Sequence, residues 1–182
     1  MSESRAQLWT IARSDFVERA RVAGRARMSW DAVEPRWLPA YRWMLDQMRQ
    51  RGLLDPNDLT DAPPVWAWHS CGGWQRPPGA QTVDMLFGSE PANRQGLCLV
   101  TWSAPVERLL LSYYAAWCEL LDRVVAGGRP EDVQGTVLCP PLTRAADPPP
   151  WWAPGDDLQA CVQALDWRDV TSISALPGMA TK

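Results

Sequence analysis

The sequence predicts a single α+β domain spanning residues 1–182, with a small mixed or antiparallel sheet flanked by three to four helices. Three observations carry that expectation. Short runs rich in β-branched and aromatic residues, Leu97-Cys-Leu-Val-Thr-Trp being the clearest, read as strands. Other stretches repeat their apolar residues at helical spacing. The chain of 182 residues is also long enough to bury one core without disulfides or a structural metal.

Taken in order, Gln7-Leu-Trp-Thr-Ile-Ala reads as a first, central or near-central strand. Asp15 and Glu18 have the spacing of a capping box, and Phe16, Val17, Ala20 and Ala23 then recur at helical spacing up to Gly24. A second helix is expected from Pro39 through Tyr41, Leu45 and Met48 to Gly52, with Trp37 and Trp43 packing beside it. The acidic, proline-bearing segment 53–64 reads as a loop leading to Val65-Trp-Ala-Trp-His-Ser. That run is a strand, with Trp66 and Trp68 on one face and Val65, Ala67 and His69 on the other.

Residues 71–80 read as a loop and Val83–Phe87 as a further short strand. Pro105 breaks the strand that begins at Leu97, Leu109-Leu-Leu-Ser is extended, and residues 113–125 are helical until Gly127-Gly128. Residues 128–155 are too rich in proline for an ordered helix or central strand and are expected as a surface excursion. Asp156 and Gln159 suggest a capping box for a last helix carrying Leu158, Cys161, Val162 and Leu165, and residues 174–182 read as a frayed tail.

Composition excludes several chemistries. The sole lysine is the terminal Lys182, which leaves no P-loop or Schiff-base lysine within the fold. The sole histidine is His69, so a multi-histidine metal centre is impossible, and no metal is expected. Neither a Gly-x-Ser-x-Gly elbow nor a Gly-x-Gly-x-x-Gly loop is present. A net charge of −3 provides no strong nucleic-acid signal, although Arg19, Arg21, Arg25 and Arg27 form a local basic segment, read as a solvated helix face with a local anion-binding face as the alternative. No apolar run is long enough for a membrane span, and the start of the chain lacks secretory-signal character, so a cytoplasmic location with five free cysteines is expected.

Twelve tryptophans exceed what a core of this size requires, because each indole also seeks a partner for its N–H. Trp102, Trp117 and Trp167 read as core. Trp66 and Trp68 form an aromatic wall able to stack a nucleobase or nicotinamide, with core packing as the competing reading. Beside them, Ser70 is a polar candidate, and His69 is a candidate general base or polar anchor against the blander reading of a hydrogen-bonded strand residue. Arg76 could hold a phosphate or carboxylate. Asp84 and Glu90 are acids without a visible partner.

Leu8-Trp-Thr-Ile, Ala40-Tyr-Arg-Trp-Met-Leu-Asp-Gln-Met, Val65-Trp-Ala-Trp-His, Val106-Glu-Arg-Leu-Leu-Leu-Ser, Trp117 and Trp167 span most of the chain. In that order they resemble the bacterial domain-of-unknown-function family numbered 3841. The resemblance implies no assigned chemistry, and Ser112-Tyr-Tyr-Ala stands where the family has an acidic stretch. A looser similarity, to small NAD-dependent ADP-ribosyltransferases, rests on the strand–helix–Gly–strand opening. It implies that Trp9 and Thr10 on the first strand, with Trp66, Trp68 or Ser70 on the second, clamp nicotinamide. Glu107 and Glu119 are then the nearest matches for the catalytic glutamate.

The leading expectation is therefore a Trp-lined cleft that binds a nucleotide-like or aromatic small molecule, with NAD as candidate cofactor and transfer of the ADP-ribosyltransferase type. His69 and Glu107 are the catalytic candidates; Trp9, Thr10, Trp66, Trp68, Ser70 and Arg76 are the ligand-binding candidates. The alternative is a non-catalytic protein–protein interaction module anchored by Trp151-Trp152 within the segment 140–154.

Overall fold

A computed structural model describes residues 4–58, 60–142 and 157–177. In chain order it contains β1 (Arg5–Arg13), α1 (Ser14–Ala23), β2 (Arg25–Ala26), α2 (Leu38–Gln50), β3 (Val65–Ser70), α3 (Ala80–Phe87), α4 (Pro91–Arg94) and β4 (Leu97–Pro105). β5 (Leu110–Tyr113), α5 (Tyr114–Val125), α6 (Gln134–Val137), β6 (Leu158–Val162), β7 (Leu165–Asp166) and β8 (Val170–Ser174) follow. The fold is α+β. Six strands form one sheet in the order β5-β6-β3-β1-β4-β8, and β2 pairs with β7 apart from it. All strand pairings in both sheets are antiparallel.

Period-two geometry in β1 divides the core between the two faces of the sheet. Ala6, Leu8 and Ala12 join Val65, Ala67, Val100 and Trp102 on one face, and α1 covers it with Phe16, Val17 and Ala20. Gly24, at φ +76°, ends α1 in a left-handed conformation that a side chain would disfavour. On the opposite face, α2 and α5 pack Trp43, Met44, Met48, Trp117 and Leu120 against Leu110 and Cys161. Next to them Trp9, Trp68, Leu99 and Val83 form a third cluster, which brings α3 onto the same face.

Several local expectations are corrected. Residues 80–87 form α3 and not a strand; Val83 is fully buried while Met85 and Leu86 are exposed, an amphipathic arrangement that the short run Val83–Phe87 did not disclose. The expected last helix is β6, each of its five residues buried between β3 and β5. A short apolar run in a sheet covered on both faces has no alternation to display, so its pattern imitates a helical stripe. The Asp15/Glu18 capping box does not form: Arg13 is the N-cap and offers no side-chain bond. Asp15 instead lies 3.1 Å from Arg19, and Glu18 lies 2.6 Å from Arg21.

The proline-rich excursion begins as ordered structure, since residues 130–137 are helical turns and Val137 and Cys139 are buried. The tail is not frayed where it was expected to begin: Ser174 is paired in β8 and Leu176 is 2% exposed within the Trp9–Trp68 cluster. Trp151 and Trp152, the anchors of the interaction reading, lie outside the described residues. Among the described residues, no helix is long and apolar enough to cross a membrane.

Candidate functional site

β1 pairs with β4 over nine residues but registers with β3 at a single position, Trp9 opposite Trp68. Beyond that pair the two strands remain neighbours but share no further registered pair. The ladder between them is replaced by one side chain: Thr10 Oγ1 donates to the Trp66 carbonyl at 3.2 Å while accepting from Trp102 Nε1 at 2.9 Å. A cavity of about 760 Å³ is bordered by Thr10 and Ala12 of β1 and by Val65, Trp66 and Trp68 of β3.

The aromatic wall is built as a chain of ring contacts. Trp66 lies 4.5 Å from Trp117 and 5.8 Å from Tyr41, both measured between ring centroids, and Trp68 lies 4.9 Å from Tyr114. Tyr41 comes from α2, and Tyr114 and Trp117 come from α5; all three border the cavity. Burial, with smaller contributions from Cys161 and Glu34, pushes the Tyr41 phenol up to about 12. Burial also raises the Tyr114 phenol, assisted by its hydrogen bond with Cys118. Both rings therefore stay neutral near pH 7 and keep an O–H.

Across β3 and its neighbours, register aligns a row of side chains under this wall. Ser112 on β5 stands opposite Gln159 on β6, which stands opposite Trp68 on β3. Gln159 borders the cavity and is 8% exposed, yet its amide oxygen has no hydrogen-bond partner. At the cavity mouth, Arg13 and Arg19 lie 3.4 and 3.1 Å from Asp15 and share that one carboxylate. Asp122 borders the cavity from α5, and exposed Met85 with half-buried Phe87 forms an apolar edge from α3.

Of the sequence candidates, Thr10, Trp66 and Trp68 meet at the cleft. Thr10 serves as a clasp between strands, with its hydroxyl occupied on both sides. Trp9 does not line the cleft; it is 5% exposed and backs Trp68 from within the core. Ser70 is fully buried beyond a bulge in β3 and does not border the cavity, and the same holds for buried His69.

Arg76 is held in its own loop, donating from Nε to the Cys71 carbonyl at 2.9 Å and lying across Gly72, whose φ is +60°. Glu107 is exposed in the turn after Pro105, which registers with Arg5 at the far end of β1 from the cleft. With a strand rise of about 3.3 Å per residue, the five-residue separation of Arg5 and Thr10 puts roughly 16 Å between them. Glu119 is exposed on α5 and does not border the cavity. Asp84 is partnered after all, by the buried Arg94, while Glu90 is exposed. The basic segment is ion-paired throughout, with Arg25 and Arg27 both on Asp58. Among the described residues, no group of three or more His, Cys, Asp or Glu side chains is placed to hold a metal ion.

Gln159, Tyr41, Tyr114 and Arg13 were missed, and Arg19 was named only within the basic segment. Reading Leu158-Gln-Ala-Cys-Val as a strand would have exposed Gln159 as a polar side chain in an otherwise apolar buried run. The rest become neighbours only through the tertiary fold. No family model, no curated protein and no solved structure matches the chain.

Proposed function

We propose that the cleft between β1 and β3 binds a nucleotide-like or aromatic small molecule, with NAD as the first candidate. The observation that carries this reading is a cavity of about 760 Å³, bordered by β1 and β3 where they share a single registered pair and walled by Trp66, Trp68 and Tyr114. That volume suits a ligand of nucleotide size, and an apolar wall with few polar groups is the usual make-up of such sites. A planar ring stacks against the indoles, where each such contact is worth about 1–3 kcal/mol.

The anionic part of the ligand points to the mouth, where Arg13 and Arg19 have only Asp15 between them. In the transferase form of this reading, a carboxylate stabilises positive charge on a departing glycosidic carbon. Asp15 and Asp122, not Glu107, are the carboxylates bordering the cleft and so the ones to examine. A cytoplasmic setting belongs to the same reading, supported by five cysteines that are all free thiols.

The test is tryptophan fluorescence and melting temperature against a panel of nucleotides that includes NAD. Binding quenches the indoles and raises the melting temperature. Trp66→Ala, at a half-buried position on the cleft edge, folds and weakens binding about tenfold or more, as loss of one stacking ring requires. A folded Trp66→Ala variant with unchanged affinity, or no response to any compound, would overturn the reading.

A further inference from the structure

We infer that Gln159 is the specificity-determining residue of the cleft, and that it selects a planar aromatic ring whose edge presents an N–H donor beside a hydrogen-bond acceptor. The inference rests on the ligand-binding reading of the cleft and names the class of ligand that it takes.

Two residues that border the cavity carry buried polar atoms without a partner, Gln159 Oε1 and Trp66 Nε1. Such atoms are uncommon, because a buried acceptor or donor loses its water and gains nothing in exchange. Gln159 could have been satisfied locally. Ser112 stands directly opposite on β5, at the spacing where cross-strand side chains meet, yet the Ser112 hydroxyl is likewise without a partner. The amide oxygen is therefore left over at the cavity and not absorbed into the sheet.

Its position decides what it meets. Gln159 is opposite Trp68 in the β3–β6 register, and the Trp68 ring lies 4.9 Å from Tyr114. A flat ligand seated on this wall brings its edge, not its face, to the strand beside it. A glutamine amide offers an acceptor and a donor side by side, and half a turn about its last torsion exchanges them. Its complement is another paired edge, as in a primary carboxamide or an amino group next to a ring nitrogen. Trp66 Nε1 is a donor only and reinforces recognition of an acceptor on the ligand. The neighbouring positions on β6, Leu158 and Ala160, are apolar and belong to the core cluster on the opposite face.

The experiment uses the full chain and two matched probe pairs, nicotinamide against nicotinic acid and adenosine against purine riboside, titrated by tryptophan fluorescence. In each pair one member carries the exocyclic N–H donor and the other lacks it. The wild type is expected to prefer the donor-bearing member by about tenfold in at least one pair. Gln159→Leu reduces that preference to within about twofold, whereas Gln159→Glu, which keeps the acceptor, retains it. Without ligand, Gln159→Leu melts at the same temperature as wild type or higher, because the buried amide oxygen has no hydrogen-bond partner in the folded protein.

Equal affinity for both members in wild type, a preference that survives Gln159→Leu, or a lower melting temperature for unliganded Gln159→Leu would each overturn the inference. If neither pair binds while another compound of the nucleotide panel quenches the indoles, the inference fails and the cleft reading stands. If nothing binds at all, both fall.

Discussion

Trp102 and Thr10 meet across β1 and β4 through a 2.9 Å hydrogen bond, and the same threonine hydroxyl reaches the Trp66 carbonyl on β3. One side chain therefore ties three strands together at the point where the ladder between β1 and β3 ends. Thr10→Val keeps the shape, removes both bonds and leaves the Trp102 N–H buried without a partner. The expected loss is about 1–3 kcal/mol in unfolding free energy, measured by denaturant titration, with Thr10→Ser retaining most of the stability. A neutral Thr10→Val would show that the hydroxyl is not the clasp.

Leu176 should behave as a core residue although it stands near the end of the chain. It is 2% exposed among Trp9, Trp68, Val83 and Leu99. Leu176→Ala is expected to cost about 2–4 kcal/mol, the range for truncating a buried leucine. Ending the chain after Ser174 should destabilise at least as much, whereas ending it after Pro177 should be close to neutral. Equal melting temperatures for the two truncations would place Leu176 outside the core.

Stability should fall in acid through Asp58. The Arg27 guanidinium beside it, aided by hydrogen bonds from Thr60, holds the carboxyl at about 2, below its ordinary 3.8. A depressed carboxylate pKa contributes stability that is fully present above the unfolded value and disappears as pH falls through the folded one. The difference in unfolding free energy between wild type and Asp58→Asn should therefore be largest above pH 4 and shrink on titration from 4 toward 2. A difference that stays constant over that window would remove Asp58 from the account.

Thiol reactivity should sort the cysteines by burial. Burial is the main influence pushing Cys71 up to about 12, and it raises Cys161 well above the ordinary thiol range. Cys98 and Cys118 are half-buried and also raised, and Cys118 borders the cleft. Slow labelling at Cys98 and Cys118 alone is expected for the native protein at neutral pH, with all five modified in denaturant. A compound bound in the cleft should slow Cys118 and leave Cys98 unaffected, as peptide mapping of the label would show.

The sequence by itself determined the elements whose signal is local and sustained. The aromatic and β-branched residues of Gln7-Leu-Trp-Thr-Ile-Ala mark the body of β1, Gly24 marks the end of α1, and the helical spacing of Trp117, Leu120 and Val124 marks α5. It also marked Trp66 and Trp68 as sharing one strand face, because side-chain direction follows from period two alone. Tertiary structure decided the rest. Leu158–Val162 became a strand because β3 and β5 supply hydrogen bonds along both of its edges, a fact absent from its own residues. Trp9 and Trp68, equivalent by composition and packed in one core cluster with Leu176 and Val83, were separated in role when only Trp68 came to border the cavity. The cleft is bordered by β1 and β3, which share a single registered pair, and pairing is a relation between distant segments that no local pattern encodes.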